Sequence, residues 1–229
     1  MTFDAGQTLL ALDHELLARR VAERGAVLDA GRAAQATPEA WRAYGRAKAR
    51  GAEGAEAWMS FMRALLERSG VEAARLPALV SWLFEQQPER NLWRRPVPGM
   101  FELARELAGR GIPVGVLSNS EGRLEALIEE LGRREPFACV VDSGRLGFEK
   151  PDRRIFELTA ERLGVTPDAL VHVGDSWEAD VRGALGVGAR AIWFDAESDA
   201  LPGEAPEAQV RRARDAGEVR DALRAWALL

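Results

Sequence analysis

Cysteine is almost missing from this chain. Cys139 stands alone among 229 residues, so no intramolecular disulfide can form and a reducing compartment such as the cytoplasm is expected. Long apolar runs are missing too. None approaches the roughly 20 residues that a membrane-spanning helix needs, so no membrane partner is expected. No basic segment followed by an apolar one opens the chain, so no secretory signal is read there. An excess of positive charge is also lacking. The net charge is −5, which argues against a broad surface for nucleic acid or anionic lipid. Lysine and asparagine are as scarce: of 31 lysines and arginines only Lys48 and Lys150 are lysines, and Asn91 and Asn119 are the only asparagines. Arginine is a planar fork and lysine a compact point charge. A lysine kept against so strong a bias therefore points to a place that needs a point charge, and Lys150 is a candidate.

What is present fits a soluble globular protein. Hydrophobic residues make up 47% and charged residues 29%, and the length allows one sizeable core or a core with an inserted unit. From about Asp13 to Gln87 the apolar spacing is helical. Asp13 is a plausible N-cap, Thr37-Pro38 reads as the start of a further helix, and Gly70 closes another. No strand-like run interrupts this region. "PERNLWRRPVPG" follows and reads as a linker. After Pro98 the rhythm changes. "IPVGVLSN", "FACVVD", "ALVHVGD" and "ARAIWFD" are short apolar runs that alternate with amphipathic helical segments. That pattern predicts an α/β fold: a Rossmann-like, mostly parallel sheet with helices on both faces. Residues 1–12 and 96–229 are expected to form this core, and residues 13–95 an inserted all-α unit. Residues 200–210 read as loop and "EVRDALRAWALL" as a last helix. Only three residues precede Asp4, about 10 Å of strand at ~3.3 Å each, against a usual length of about 5–6 residues. Either a very short first strand or an upstream start is expected.

Several strands end in groups that can do chemistry. Asp4 follows "TF", Ser118 and Asn119 follow "VGVL", and Asp175 follows "VHVG"; Lys150 precedes a helix. In a parallel sheet the carboxyl ends of the strands lie along one edge, where ligands bind. Each group also has a purely structural reading. Asp175 with Glu178 fits a capping box, and Asp152 fits an N-cap for "RRIFEL". Lys150 fits a solvated surface lysine and Ser118 a turn residue. His172 reads as a core histidine, His14 as exposed, and "WRAYGRAKAR" as a solvated helix face. The ordered occurrence of Asp4, Ser118, Lys150 and Asp175 is what favours a site.

"FDAGQTLL", "VGVLSNS", "FEKPDRRIF" and "VHVGDSWEADVRGALGVGAR" resemble the four ordered motifs of the haloacid dehalogenase superfamily, and the helical region after the first motif resembles that family's inserted cap. The resemblance covers nearly the whole chain. It implies a Mg²⁺-dependent phosphatase acting on a small phosphorylated metabolite. Asp4 would be the nucleophile that becomes an aspartyl-phosphate. Lys150 would act beside it and, with Thr8, Ser118 and Asn119, hold phosphate oxygens. Asp4, the Gly6 carbonyl and Asp175 would hold the metal, with Asp180 supporting them.

One position departs from the family. Its phosphatases carry Asp-x-Asp-x-Thr, whereas this chain reads Asp4-Ala5-Gly6-Gln7-Thr8. The second aspartate is the family's general acid and base, a contribution of typically ~10²–10⁴-fold. Glycine supplies neither role, so slow turnover is implied. A member that only binds a phosphorylated ligand or a protein partner is the alternative. A 2-haloacid dehalogenase ranks lower, because that branch has an aromatic residue at the Gly6 position and no metal-binding aspartate in the fourth motif.

Overall fold

The computed structural model describes residues 1–52, 54–195, 206 and 208–229. Strands β1 (Thr2–Phe3) and β2 (Leu10–Leu12) lead into helices α1 (His14–Ala22), α2 (Ala30–Ala49), α3 (Gly54–Arg68) and α4 (Leu76–Gln86). β3 (Trp93–Pro96), α5 (Met100–Gly109), β4 (Gly115–Ser118), α6 (Leu124–Glu130), β5 (Cys139–Asp142) and α7 (Arg153–Leu163) follow. Then come β6 (Val171–Gly174), a π-helical segment (Trp177–Arg182), α8 (Gly183–Leu185), β7 (Arg190–Phe194), β8 (Val210–Ala213) and α9 (Ala216–Ala225).

Six strands form one sheet in the order β5-β4-β1-β6-β7-β8, with every neighbouring pair parallel. The chain runs from β1 outward through β4 to β5, then returns to the other side of β1 with β6. β1 is therefore the switch point, and the crevice beyond the carboxyl ends of β4, β1 and β6 is where an open α/β sheet takes its ligand. β1 has only two residues, yet it is paired on both edges, and Phe3 is completely buried. Side chains alternate across the sheet as the pleat requires. Val116, Val140, Val173 and Ile192 join the apolar cluster that holds Phe3 and Phe101. Leu117, Val141, Ala191 and Trp193 join the other, with Ile155 and Phe156 of α7. Helices thus cover both faces.

Met1–Leu12 and Trp93–Leu229 form one compact unit, and Asp13–Leu92 forms a second. In the second unit Asp13 caps α1, accepting from the Leu16 N–H at 2.8 Å, and Trp41 packs on Phe61 at 4.4 Å between ring centres. Three expectations are corrected here. No helix begins at Pro38: α2 is continuous, starts at the Asp29 cap, and carries the proline inside its 20 residues. Thr37 turns its hydroxyl back onto the Ala33 carbonyl at 2.9 Å, as a mid-helix threonine does. His14 is half-buried, with Nε2 2.8 Å from Thr37 Oγ1.

In the first unit, part of the expected linker is strand. β3 pairs antiparallel with β2 to make a two-stranded ribbon, and Pro96 sits at its end, where a missing N–H is tolerated. β8 was not expected. Its exposed Arg211 and half-buried Arg212 mask the apolar signal of Val210 and Ala213, as happens on an edge strand. The last helix begins at Ala216, capped by Asp215 onto the Glu218 N–H at 2.9 Å. The loop expected at 200–210 falls largely outside the described residues. Among the described residues no helix is long and apolar enough to cross a membrane.

Candidate active site

Three adjacent strands deliver the carboxylates and the hydroxyl. Asp4 follows β1, Ser118 ends β4, and Asp175 follows β6. Lys150 comes from the segment before α7 and is buried with its ammonium between two acids. Its Nζ donates to Asp4 Oδ1 at 2.6 Å, to Asp180 Oδ1 at 2.6 Å and to the Leu117 carbonyl at 2.8 Å. All three ammonium hydrogens are thereby used, a pattern that a planar guanidinium does not reproduce. The lysine singled out by its rarity is thus not a surface residue. Asn119 holds the backbone on which Lys150 stands: its Nδ2 donates to the Lys150 carbonyl at 3.0 Å, and its Oδ1 accepts from the Lys150 N–H at 2.8 Å. Ser118 and Thr8 are buried, and among the described residues neither side chain bonds to this cluster. The Thr8 hydroxyl has no partner among them.

The charges do not balance. Asp4, Asp175 and Asp180 offer carboxylate oxygens within 4.8 Å of one another, against one ammonium. Burial lifts the Asp4 carboxyl above its ordinary range even though Lys150 pulls the other way. Desolvation and the charges of Asp4 and Asp180 push Asp175 well above it. Burial also opposes ionisation of Asp180, but Lys150 and His172 outweigh it and hold Asp180 below the ordinary range. Lys150 is the mirror case: burial opposes its charge, and Asp180 and Asp4 push its ammonium above an ordinary lysine. The Asp4–Asp175 side is therefore short of positive charge.

That deficit is one a divalent cation would fill. Asp180 is already committed, with Oδ1 bonded by Lys150 and His172 and Oδ2 by the Ser176 N–H at 2.8 Å. Asp4 Oδ2 has no donor among the described residues, and Asp175 lies within reach. Two carboxylates supplemented by water suit a small hard cation such as Mg²⁺.

The supporting residues were less legible. Asp175 and Glu178 do not form a capping box: the N-cap of the following π-helical segment is Ser176, whose hydroxyl accepts from the Ala179 N–H at 3.2 Å. The π geometry is set by a Val181 N–H to Ser176 carbonyl bond, and it aims Asp180 back at Lys150. Gly174 makes room for this, since a Cβ there would overlap the Asp180 carboxyl. Asp142 is a further support. It accepts from the N–H groups of Gly122, Leu124 and Gly144 at 3.0, 3.0 and 2.9 Å, which fixes the loop that carries Asn119. Its place at the end of "FACVVD" was the available signal. Asp152 caps α7 as expected, accepting from the Arg154 N–H at 2.9 Å. Gln7 adopts a left-handed φ of 55° without being glycine, beside Gly6, where a built Cβ would meet only Asp4 Oδ2 at 3.9 Å.

Comparison with known proteins agrees with this architecture. The family model described as haloacid dehalogenase-like hydrolase matches residues 2–188. A Bos taurus protein named haloacid dehalogenase-like hydrolase domain-containing protein 3 is 29% identical over 197 residues, covering 82% of this chain and 78% of that one. A Thermus thermophilus phosphoserine phosphatase is 32% identical over 136 residues, 58% of this chain and 52% of its own. Among solved structures, a HAD-hydrolase of Bacillus subtilis bound to magnesium shares the fold, with a TM-score of 0.71 at 21% identity over 97% of this chain and 96% of that one. With a parallel sheet whose strand order reverses at β1 and an acidic cluster at that point, the chain belongs to the haloacid dehalogenase-like hydrolases.

Proposed function

We propose that this hydrolase is a Mg²⁺-dependent phosphate monoesterase that works through an aspartyl-phosphate on Asp4 and lacks an internal acid for its leaving group. The observation that carries the reading is Lys150 Nζ, 2.6 Å from both Asp4 and Asp180. It orients one oxygen of Asp4 and leaves the other open. Phosphatases among its relatives are in keeping with it. The second unit would act as the cap that selects a small phosphorylated metabolite, and the lone buried Cys139 suits a cytoplasmic setting.

In the first step an oxygen of Asp4 attacks phosphorus and the bond from phosphorus to the leaving oxygen breaks. In the second, water attacks the same phosphorus, the bond to Asp4 breaks, and the carboxylate returns. Lys150 holds Asp4 in place and adds positive charge beside the phosphoryl oxygens. The Thr8 and Ser118 hydroxyls would bond those oxygens. Asn119, with its side chain engaged on Lys150, would contribute its backbone N–H. Asp4, Asp175 and the Gly6 carbonyl would hold Mg²⁺, with Asp180 behind them, and the bound ion would supply charge neutralisation on the phosphoryl group. Gly6 has no proton to give, so the leaving oxygen takes its proton from water.

A panel of phosphate esters assayed with Mg²⁺ tests this. Turnover that disappears in Asp4→Asn supports it, and turnover that survives that change overturns it. Gly6 also favours a second reading, a phosphate-ester-binding protein without turnover. That reading requires retained binding in calorimetry with no product from any ester.

A further inference from the structure

His172 takes no part in the steps above, yet it is fully buried and bonded on both ring nitrogens. Nδ1 is 3.0 Å from Thr2 Oγ1, and Nε2 is 2.9 Å from Asp180 Oδ1. Strand register explains the first contact, because Thr2 of β1 and His172 of β6 are directly paired across the sheet. The second exists because Gly174, two residues along, leaves room for Asp180. Phe156 closes the ring in, edge to face, at 5.5 Å.

The hydrogens in this chain of contacts can be placed. Asp180 Oδ1 accepts from Lys150 Nζ and has no hydrogen to offer, so Nε2 donates. Burial, only partly opposed by Asp180, keeps the ring neutral, so Nδ1 carries a lone pair, and the Thr2 hydroxyl donates to it at 3.0 Å in preference to the Val171 carbonyl, 3.4 Å away. The Thr2 hydroxyl, imidazole and carboxylate look like a hydrolytic triad but run in the reverse sense. In a serine hydrolase the carboxylate bonds Nδ1 and the nucleophile bonds Nε2. Here Thr2 has zero exposure, and no substrate reaches its hydroxyl. The row Thr2, His172, Asp180, Lys150, Asp4 is a strut running from inside the sheet to the site.

We propose that His172 is a positioning residue, set as the Nε2–H tautomer by the Asp180 carboxylate and braced from behind by Thr2, which fixes Asp180 so that Lys150 stands on Asp4. For its catalytic consequence the proposal rests on the phosphate-ester reading; for the tautomer and for the ordering of Lys150 it does not. Substituting a support of this kind costs on the order of 10–100-fold when the supported group is a metal ligand, and a similar loss is expected here.

The test compares the wild type with His172→Phe, His172→Gln and Thr2→Val. Nitrogen-15 NMR of the wild-type imidazole should show a protonated Nε2 and an unprotonated Nδ1. The Lys150 ammonium should give a slowly exchanging signal that is lost in His172→Phe and kept in His172→Gln, whose amide N–H can take over the bond to Asp180. With p-nitrophenyl phosphate, His172→Phe should lower kcat roughly 10-fold or more at nearly constant KM, and His172→Gln should recover part of it. Thr2→Val should fold and keep the Nε2–H tautomer, because Asp180 still requires a donor. An Nδ1–H tautomer in the wild type overturns the proposal. So does an ordered Lys150 signal in His172→Phe, or an equal kcat in all variants alongside lowered thermal stability. If the wild type turns over no ester, the phosphatase reading fails and the two NMR measurements still decide this one.

Discussion

Gly6→Asp should convert the leaving-group dependence of this enzyme. The backbone accepts the change, because Gly6 does not sit in the left-handed region and an added Cβ meets only Asp4 Oδ2 at 3.9 Å. The new carboxylate would enter a cluster that already holds three acids. At about 4 Å and an effective dielectric near 20, each like-charge contact costs roughly 4 kcal/mol. That repulsion raises the pKa of the new group, the direction a general acid requires. A positioned acid contributes typically ~10²–10⁴-fold, and the gain is confined to leaving groups that need a proton. The assay is kcat/KM with Mg²⁺ across esters of graded leaving-group acidity, from alkyl through aryl to acyl phosphates. The wild type should fall steeply as the leaving group becomes more basic. In the variant, alkyl phosphates should gain about 100-fold or more, within that same range, while acyl phosphates stay nearly unchanged, so the slope flattens. A uniform gain or no change at all would refute the view that proton transfer is what Gly6 removes.

Gly174→Ala should destabilise the fold by about 3 kcal/mol, the upper end of the usual cost of overpacking, because its methyl group would occupy the space of the Asp180 carboxyl; urea unfolding measures it. Lys150→Met should cost roughly 3–5 kcal/mol, since it leaves Asp4 and Asp180 buried without their partner. Lys150→Arg should not restore activity, because a fork cannot meet three converging acceptors; the same unfolding curves and ester assay check both. Asp175 gives a pH signature in protein freed of metal by chelation. Its raised pKa means that the folded chain keeps a proton the unfolded chain has released. Its contribution to stability is therefore favourable at low pH and is lost as pH rises from the ordinary carboxylate range through the raised value. The stability difference between wild type and Asp175→Asn should accordingly fall with rising pH over that window. Mg²⁺ at 100 times its dissociation constant should raise wild-type stability by about 2.7 kcal/mol and Asp175→Asn by much less, read as a shift in Tm.

Local signals carried much of this protein. Apolar runs of strand length separated by helical periodicity set the parallel sheet, because each such run must bury both faces. The order of Asp4, Ser118, Lys150 and Asp175 marked the site, because parallel strands end at one edge. Signals that depend on distant partners were not readable. Thr2 and His172 look like ordinary strand residues until β1 and β6 lie side by side. Asn119 looks like a ligand-binding amide until the Lys150 backbone takes both its hydrogen-bonding ends. Pro38 looks like a helix start, and Arg211 and Arg212 hide an edge strand, because packing elsewhere in the chain sets both outcomes. The sequence by itself determined the groups available: a carboxylate at the end of the first strand, one point charge, and no acid at residue 6. Tertiary structure alone decided that three carboxylates gather where a single ammonium bonds two of them, because charge balance in a buried cluster depends on which side chains the fold brings within a few ångströms.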